Sequence, residues 1–192
     1  MNNKDIINIE NFNLSYDGNV LYNNFNFSLT KGQIVGISGP TGCGKTSLLN
    51  KIVEDYIDKY KISYVFQDDK LIKDISSFEN ILLPLDNIYS KEEARKIATN
   101  SIKLFDLENR KDVKVSVLSG GEKQRVNLAR AFSYPCDILL IDEPFSSQDE
   151  KHKQKLIEFS KKTIKEKEIS AIIVSHNKDE LSTLCDYIIE LG

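Results

Sequence analysis

The stretch GPTGCGKT at residues 39–46 constrains this chain more than any other part of its sequence. It fits the pattern G-x-x-x-x-G-K-[ST], follows the apolar run IVGIS directly, and leads into TSLLNKIV, which has the pattern of a helix. In this context glycines let successive backbone N–H groups converge on phosphates at the positive end of a helix. The motif predicts nucleotide binding, with Lys45 at the β- and γ-phosphates and the Thr46 hydroxyl on Mg²⁺. An ordinary glycine-rich turn with a surface lysine is the alternative, which the flanking strand and helix disfavour.

The order of apolar runs predicts an α/β fold built on a parallel sheet. Four runs are almost continuously apolar, as strands covered on both faces are; they are IVGIS (34–38), ISYVF (62–66), ILLI (138–141) and AIIV (171–174). Helices are expected between them, at 45–54, about 90–105, 120–132 and about 149–167. This alternation is typical of a doubly wound core.

Two further features complete the predicted architecture. Alternating apolar residues predict an antiparallel hairpin around the turn Asp17-Gly18-Asn19; they are Phe12, Leu14 and Tyr16, then Phe25, Phe27 and Leu29. The segment from about 68 to 117 has helix signals and no clear interior strand. We therefore expect one domain over 1–192, in which a phosphate-loop core carries an N-terminal antiparallel β subdomain and a helical subdomain inserted at about 68–117.

The composition indicates in which cellular compartment the protein works and which kinds of partner it has. With 40% hydrophobic and 29% charged residues, the chain has a globular rather than a disordered composition. A net charge of -3 argues against a large non-specific nucleic-acid surface. Three widely spaced cysteines suggest a reducing compartment. No signal-peptide layout and no apolar run of about 18 residues is present, so we expect a cytosolic protein that meets a membrane through a partner.

Polar residues end two of the apolar runs, where ligands bind in open α/β sheets. In ILLIDEP, Asp142 would hold Mg²⁺ and Glu143 would activate water as a general base. Alternatively, Asp142 and Glu143 could simply form a turn before the proline. The presence of a phosphate loop in the same chain favours the catalytic interpretation. In AIIVSHN, His176 leaves its strand at the same edge and would donate a hydrogen bond to the γ-phosphate. A packed or surface histidine is the alternative, and only the position at this edge favours the functional interpretation.

A second glycine turn, Ser119-Gly120-Gly121, precedes the helical pattern of residues 120–132. Ser119 and Glu122 have the spacing of a capping box, and the glycines leave the first N–H groups of the helix uncovered. Two such turns of one chain cannot easily bind the same nucleotide, because each would need the same face of it. A head-to-tail pair of chains, each lending this turn to the nucleotide of the other, explains both turns. A tight helix entry without a ligand is the alternative that the residues leave open.

The ordered set GPTGCGKT, VFQ, LSGGE-x-QR, ILLIDEP and SH resembles the nucleotide-binding subunit of ATP-binding-cassette transporters over residues 6 to 191. The resemblance implies ATP and Mg²⁺ as ligands. It implies ATP binding by Tyr16, Gly39, Pro40, Thr41, Gly42, Cys43, Gly44, Lys45, Thr46 and Ser47. It implies catalysis by Glu143, His176, Lys45 and Gln67, and metal binding by Thr46, Gln67 and Asp142. It implies that Ser119, Gly120, Gly121 and Glu122 meet the partner's ATP, and that Asp149 lies at the dimer interface.

The resemblance also implies partners and a location. The partners are a second copy or a homologous ATPase subunit, integral membrane permease subunits and a solute-binding protein, with no specific nucleic acid. The location is cytoplasmic, peripheral on the inner face of a bacterial membrane. For Tyr16, stacking on adenine and a place in the core with Phe12 and Leu14 are equally compatible with the pattern.

Import of a nutrient or an organic or inorganic anion is favoured, because IDEPFSS and VFQDDKLIKDISSFENILLP resemble importers. The LSGGE variant also resembles lipoprotein-release and cell-division proteins, so export remains open. A soluble non-transport cassette ATPase is a second class, which usually carries coiled coils or tandem cassettes. A small-molecule kinase or GTPase is a third, which leaves the second glycine turn and His176 unexplained.

The sequence departs from the family pattern at two places. Glu122 stands where glutamine is more common, and its carboxylate would repel phosphate unless it folds back to cap Ser119. Ser147-Gln148 stands where a leucine usually precedes the aspartate, here Asp149. We expect Asp149 to serve the interface even so, with altered packing beside it.

Overall fold

A computed structural model describes residues 5–68, 70–145 and 148–191. The strands are β1 (Asp5–Tyr16), β2 (Asn19–Thr30), β3 (Ile34–Ser38), β4 (Ile62–Val65), β5 (Ile138–Asp142), β6 (Ser170–Val174) and β7 (Tyr187–Glu190). The helices are α1 (Lys45–Tyr56), α2 (Ser77–Leu82), α3 (Lys91–Leu104), α4 (Gly120–Ser133), α5 (Glu150–Glu166) and α6 (Lys178–Leu184). Short 3₁₀ turns lie at Glu108–Arg110 and Val115–Val117.

Five parallel strands form the central sheet, in the order β4-β5-β6-β3-β7. Every residue of β3, β5 and β6 is buried, because helices or the hairpin cover both faces of the sheet. Successive side chains alternate between two apolar clusters, as the two-residue period of a strand requires. In β5, for example, Ile138 and Leu140 join one cluster, and Leu139 and Ile141 join the other.

One face of the sheet is covered by α1 and by the β1–β2 hairpin. The hairpin places Ile7, Ile9 and Tyr22 against Val35 and Ile37 of β3, together with the apolar side of α1. Asp17 and Gly18 form its turn with left-handed backbones, as the Asp-Gly pair predicts. The hairpin thus acts as a layer of the core and reaches the loop that follows β3.

The other face is covered by the remaining helices. The aromatic rings of Phe105, Phe132 and Phe159 meet there at 5.1–6.0 Å between centroids, joining α3, α4 and α5. Between β4 and α4 the described residues contain α2, α3, the two 3₁₀ turns and one isolated β bridge between Ser76 and Lys114. This segment packs on the sheet mainly through α4.

The predicted fold class is confirmed, and the four apolar runs are four strands of one parallel sheet. Three short elements were not predicted, namely α2, α6 and β7. The two helices have only six and seven residues, too few for a helical period to stand out. Strand β7 lies at the edge of the sheet with only half-buried or exposed residues, so its sequence lacks a continuous apolar signal.

Within the described part of the chain, no helix combines the length and the apolar character needed to cross a membrane.

Candidate functional site

The strand order brings the predicted polar residues to one edge of the sheet. Strand β6 lies between β5 and β3, and Val174 near its end is level with Asp142 of β5 and Ile37 of β3. The segments after these three strands therefore emerge side by side at the carboxyl edge. They carry Glu143, His176 and the loop 39–46, which lie far apart in sequence.

An open cleft of about 340 Å³ lies at this edge. Besides Leu21, its lining consists of residues of the predicted site: Tyr16, Thr41, Gly42, Gly44, Lys45, Thr46, Ser47, Gln67, Asp142, Glu143 and His176. Larger cavities occur elsewhere, but this one contains the residues that can handle a charged phosphate. Its position outside the carboxyl ends of the strands is where ligands bind in this class of sheet.

The loop curls around the Lys45 side chain. Lys45 is 8% exposed, and its ammonium donates to the backbone carbonyls of Gly39 at 2.8 Å and Pro40 at 2.9 Å. Cys43 places its Sγ 4.0 Å from the same nitrogen. Helix α1 begins at Lys45 without a side-chain cap, so its first N–H groups are available to an anion.

Gly44 holds the loop in a conformation that only glycine adopts easily. Its φ is 97°, and a Cβ added there would lie 2.8 Å from Cε2 of Tyr22. The Tyr22 hydroxyl donates to the Gly44 carbonyl at 3.0 Å, and burial raises the pKa of this phenol above its ordinary value. The β1–β2 hairpin therefore supports the phosphate loop through Tyr22. No motif in the sequence predicted this contact.

Thr46 and Asp142 form the part of the cleft suited to a metal ion. The Thr46 hydroxyl donates to Oδ2 of Asp142 at 2.8 Å, and Asp142 is 2% exposed. Burial raises the pKa of Asp142, whereas Thr46, Lys45 and His176 act in the opposite direction. Mg²⁺ is usually held by one or two carboxylates together with substrate phosphates, so one hydroxyl and one carboxylate beside a phosphate loop fit it.

Glu143 and His176 form a close pair across the ends of β5 and β6. Nε2 of His176 lies 3.2 Å from Oε1 of Glu143, whose side chain is 12% exposed. Glu143 has a left-handed backbone, with φ of 51°, and its N–H donates to the Val174 carbonyl at 3.0 Å. Such strain in a residue other than glycine is common at functional sites. Burial raises the pKa of Glu143, His176 and Lys45 oppose this, and Asp142 adds to it.

Gln67 and Tyr16 both line the cleft. Gln67 follows β4, so it lies on the side from which α2 and α3 continue. Tyr16 is 70% exposed, which excludes the interpretation that it belongs to the core with Phe12 and Leu14. Its stacking on an adenine stays a prediction.

The second glycine turn begins α4 and is not part of the lining of the cleft. Ser119 and Glu122 form a reciprocal capping box, in which the Ser119 N–H donates to the carboxylate at 2.8 Å and the Glu122 N–H donates to Oγ at 3.3 Å. Arg110 donates to the other carboxylate oxygen at 2.6 Å. The hydrogen bond from the Ser119 N–H is the main cause that lowers the pKa of Glu122; burial acts in the opposite direction, and Arg110 adds to the lowering. The carboxylate is therefore folded back, as expected.

Gln148 and Asp149 make contacts within this chain, whereas Ser147 lies outside the described residues. Gln148 donates to the Gly121 carbonyl at 2.9 Å and accepts from Arg125 at 3.2 Å. These hydrogen bonds tie the segment after β5 to the second glycine turn. Asp149 caps α5 through the His152 N–H at 3.1 Å, and its side chain is 64% exposed.

Sequence reasoning missed Tyr22, Arg110 and Gln148 as supports of the site. Tyr22 looked like one more apolar position of a hairpin strand, and Arg110 lies in a 3₁₀ turn with no recognisable pattern. Gln148 appeared only as a departure from a family pattern. Each acts on a residue that is distant in sequence, so no local pattern reports the contact.

The chain matches known proteins along most of its length. The ABC transporter family model matches residues 22–146. The spermidine/putrescine import ATP-binding protein PotA of Haemophilus influenzae is 31% identical, over 100% of this chain and 56% of that protein. The aliphatic sulfonates import ATP-binding protein SsuB 1 of Shouchella clausii is 34% identical, over 88% of this chain and 71% of that protein. This chain thus spans little more than half of the length of the first relative.

A solved structure is similar over nearly the whole chain. It is an ATP-binding cassette determined as a dimer in a post-hydrolysis state, bound to ADP and Pi. The two share a TM-score of 0.87 at 30% identity, over 96% of this chain and 94% of that chain.

We predict that Gly44→Ala weakens ATP binding at least about tenfold and lowers the thermal unfolding midpoint. A non-glycine residue with positive φ costs about 1–2 kcal/mol, and the added Cβ also presses on Tyr22. Gly18→Ala is the matched control, because Gly18 has φ of 79° and no atom within 4 Å of an added Cβ. It should lose stability and keep the affinity of the parent. Equal ATP affinity in the two variants, measured with a fluorescent nucleotide, would contradict the role of this contact.

We predict that Glu122→Gln keeps ATPase activity similar to or higher than that of the parent. Glutamine still completes the capping box, while the negative charge near the second glycine turn is lost. Glu122→Ala is the control, since it removes the carboxylate that accepts from the Ser119 N–H and should destabilise the protein by about 1 kcal/mol. Steady-state ATPase rates and thermal unfolding check both variants. A large loss of activity in Glu122→Gln would refute the folded-back role of this carboxylate.

Proposed function

Because this chain belongs to the ABC transporter family, we propose that it hydrolyses ATP to drive a solute across a membrane. The convergence of Lys45, the Thr46–Asp142 pair and the Glu143–His176 pair in one cleft carries this proposal. Each supplies a different requirement of phosphoryl transfer: charge for the phosphates, a site for a metal ion, and a base for water. The ADP and Pi in the similar solved cassette support the same reaction.

Mg²⁺ is the cofactor that this cleft fits. Thr46 and Asp142 would hold it, with Gln67, which lines the same cleft, as the third proposed ligand. Bound there, it would neutralise charge on the phosphate oxygens. Its binding needs an ionised Asp142, and a cation beside this buried carboxyl counteracts the rise of pKa that burial causes.

Glu143 is the residue best placed to act as a general base. Its raised pKa makes the carboxylate a stronger proton acceptor while it remains ionised. His176 is half exposed with its Nε2 beside Glu143, and its ring would donate a hydrogen bond to a phosphate oxygen of a bound nucleotide. Lys45 would exchange the carbonyls of Gly39 and Pro40 for phosphate oxygens, which bind an ammonium more strongly.

A second cassette completes the site in this proposal. Ser119, Gly120 and Gly121 lie outside the lining of the cleft in their own chain, and the N–H groups of the two glycines start a 14-residue helix. A head-to-tail dimer brings this turn to the γ-phosphate bound by the partner, with Asp149 at the interface. The dimeric state of the similar solved cassette supports this arrangement. The partner is a second copy or a homologous ATPase subunit.

A groove beside Gln67 is the proposed contact with integral membrane permease subunits. Its volume is about 450 Å³, and apolar side chains predominate in its lining, including Ile57 at the end of α1 and Leu83 at the end of α2. Both are more than half exposed. Phe66 lines this groove and the next residue, Gln67, lines the nucleotide cleft, so a partner in the groove lies one residue from the site.

Import is the direction that we propose, because relatives named as import ATP-binding proteins match this chain. The subunit would then work at the cytoplasmic face of a bacterial membrane, and a solute-binding protein would deliver the cargo to the permease. Selectivity for the cargo would rest with those partners. Copurification of a permease separates this function from a soluble cassette ATPase, and nucleotide-dependent dimerisation separates it from a kinase or GTPase.

We predict that Glu143→Gln binds ATP with the parent affinity and hydrolyses it at least about 10²-fold more slowly, as loss of a general base implies. The amide keeps the size of the side chain and cannot accept the proton of the attacking water. The variant should therefore accumulate as an ATP-dependent dimer in size-exclusion chromatography. Turnover at the parent rate would show that the base is another residue. If the variant with bound MgATP were a monomer, the proposed site shared between two subunits would be refuted.

We predict that Ile57→Asp and Leu83→Asp abolish permease-dependent stimulation and transport, whereas the basal ATPase rate of the isolated subunit stays within about twofold. A buried, unpaired carboxylate in the groove would cost several kcal/mol of docking energy. Leu104→Asp is the control, because Leu104 is equally exposed and lies outside the groove. Reconstituted vesicles with the copurified permease provide the measurement. Normal stimulation in both groove variants would place the docking surface elsewhere.

A further inference from the structure

We infer that Glu180 is a positioning residue that holds His176 in place for hydrolysis, acting through Ser175 and neutralised by Lys153. The inference rests on the proposed function, because His176 matters only if the cleft hydrolyses a nucleotide. Glu180 lies in α6, four residues after the histidine, and no motif identified it.

Glu180 is a buried carboxylate with two specific partners. It is 7% exposed. Its Oε2 accepts from the Ser175 hydroxyl at 2.9 Å, and its Oε1 lies 3.3 Å from the Lys153 ammonium. A buried carboxylate without partners would be strongly unfavourable, so these contacts explain how the charge is tolerated at this position.

Ser175 and Asn177, the two residues that flank His176, are both held by hydrogen bonds that involve the Ser175 hydroxyl or backbone. The Ser175 N–H continues the sheet by donating to the Ile37 carbonyl at 3.3 Å. Its hydroxyl donates to Glu180 and also accepts from the Asn177 N–H at 3.1 Å. The Asn177 side chain in turn caps α6 through the Asp179 N–H at 2.9 Å. The backbone therefore has little freedom on either side of the histidine.

Lys153 connects this network to the segment proposed for the dimer interface. It lies in the first turn of α5, and its N–H donates to the carbonyl of Asp149, the capping residue of that helix. Its side chain is 19% exposed and leans from α5 towards Glu180 in α6, with Glu150 at 3.6 Å as a weaker second partner. A displacement of the α5 start by a partner subunit would reach Ser175 through only two side chains.

The rigid placement of His176 has a chemical reason. Its ring lies half exposed, 3.2 Å from Glu143, on the segment that follows β6. A group that has to meet both a carboxylate and a phosphate oxygen loses rate steeply when it is misplaced, by about 10²-fold for 1 Å. The pair of hydrogen bonds at the Ser175 hydroxyl limits that misplacement, because it fixes the backbone from which the histidine side chain extends.

A double-mutant cycle tests the inference with ATP as the probe. Glu180→Gln keeps the shape of the side chain and removes its charge, and Ser175→Ala removes the hydroxyl and keeps the Glu180–Lys153 pair. Each should lower kcat between about tenfold and 10²-fold and leave KM for ATP unchanged, because the phosphate loop is untouched. In the His176→Ala background, each should lower the residual single-turnover rate by less than about twofold, since interacting residues are non-additive. Asp179→Asn, an exposed acid in the same helix, is the matched control and should hydrolyse ATP like the parent.

The outcomes separate this inference from a purely structural role and from the proposed function. Equal loss of rate in the parent and in the His176→Ala background would show that Glu180 only stabilises the fold, and parent-like kcat in both variants would also overturn the inference. If Glu180→Gln does not fold, Ser175→Ala decides the question alone by the same cycle. A parent chain that does not hydrolyse ATP would instead overturn the proposed function, and this inference with it.

Discussion

Burial of the five-stranded sheet on both faces is the constraint on which the rest of this structure depends. Since β3, β5 and β6 have no exposed residue, polar side chains are excluded from their length and collect where the strands end. The parallel direction of the strands makes those ends coincide at one edge. Lys45, Asp142, Glu143 and His176 are close together for this reason.

Within that edge, charges are held by local partners that a substrate can replace. The Lys45 ammonium rests on two backbone carbonyls, and the Thr46 hydroxyl rests on Asp142. Both arrangements satisfy buried polar groups while leaving the same atoms suited to phosphate and to a metal ion. Glu143 is kept in a left-handed conformation beside His176, so part of the folding free energy maintains the geometry of this pair.

The cleft and the second glycine turn are built differently, although both offer a helix N-terminus. In the cleft, the phosphate loop surrounds the Lys45 ammonium. At the second glycine turn the nearby charge is a carboxylate, Glu122, which the capping box and Arg110 hold in a folded-back position. Gln148 then fastens this turn to the segment that follows Glu143. The proposed head-to-tail pair would use both helix N-termini, the one in the cleft for its own nucleotide and the one at Ser119 for the nucleotide of the partner.

Local chemistry in the sequence determined the buried strands, the phosphate loop, the hairpin turn and the folded-back Glu122, because each depends on residues within a few positions of one another. Tertiary structure alone decided the contacts between distant residues. Thr46 and Asp142 are 96 positions apart in the sequence. They meet because β5, which ends at Asp142, and β3, which leads to the loop before Thr46, lie on the two sides of β6 in the sheet. The exposure of Tyr16, the support of Gly44 by Tyr22 and the burial of Glu180 likewise follow from which elements pack together. A periodic pattern records which face of an element is buried, but not against which partner it is buried.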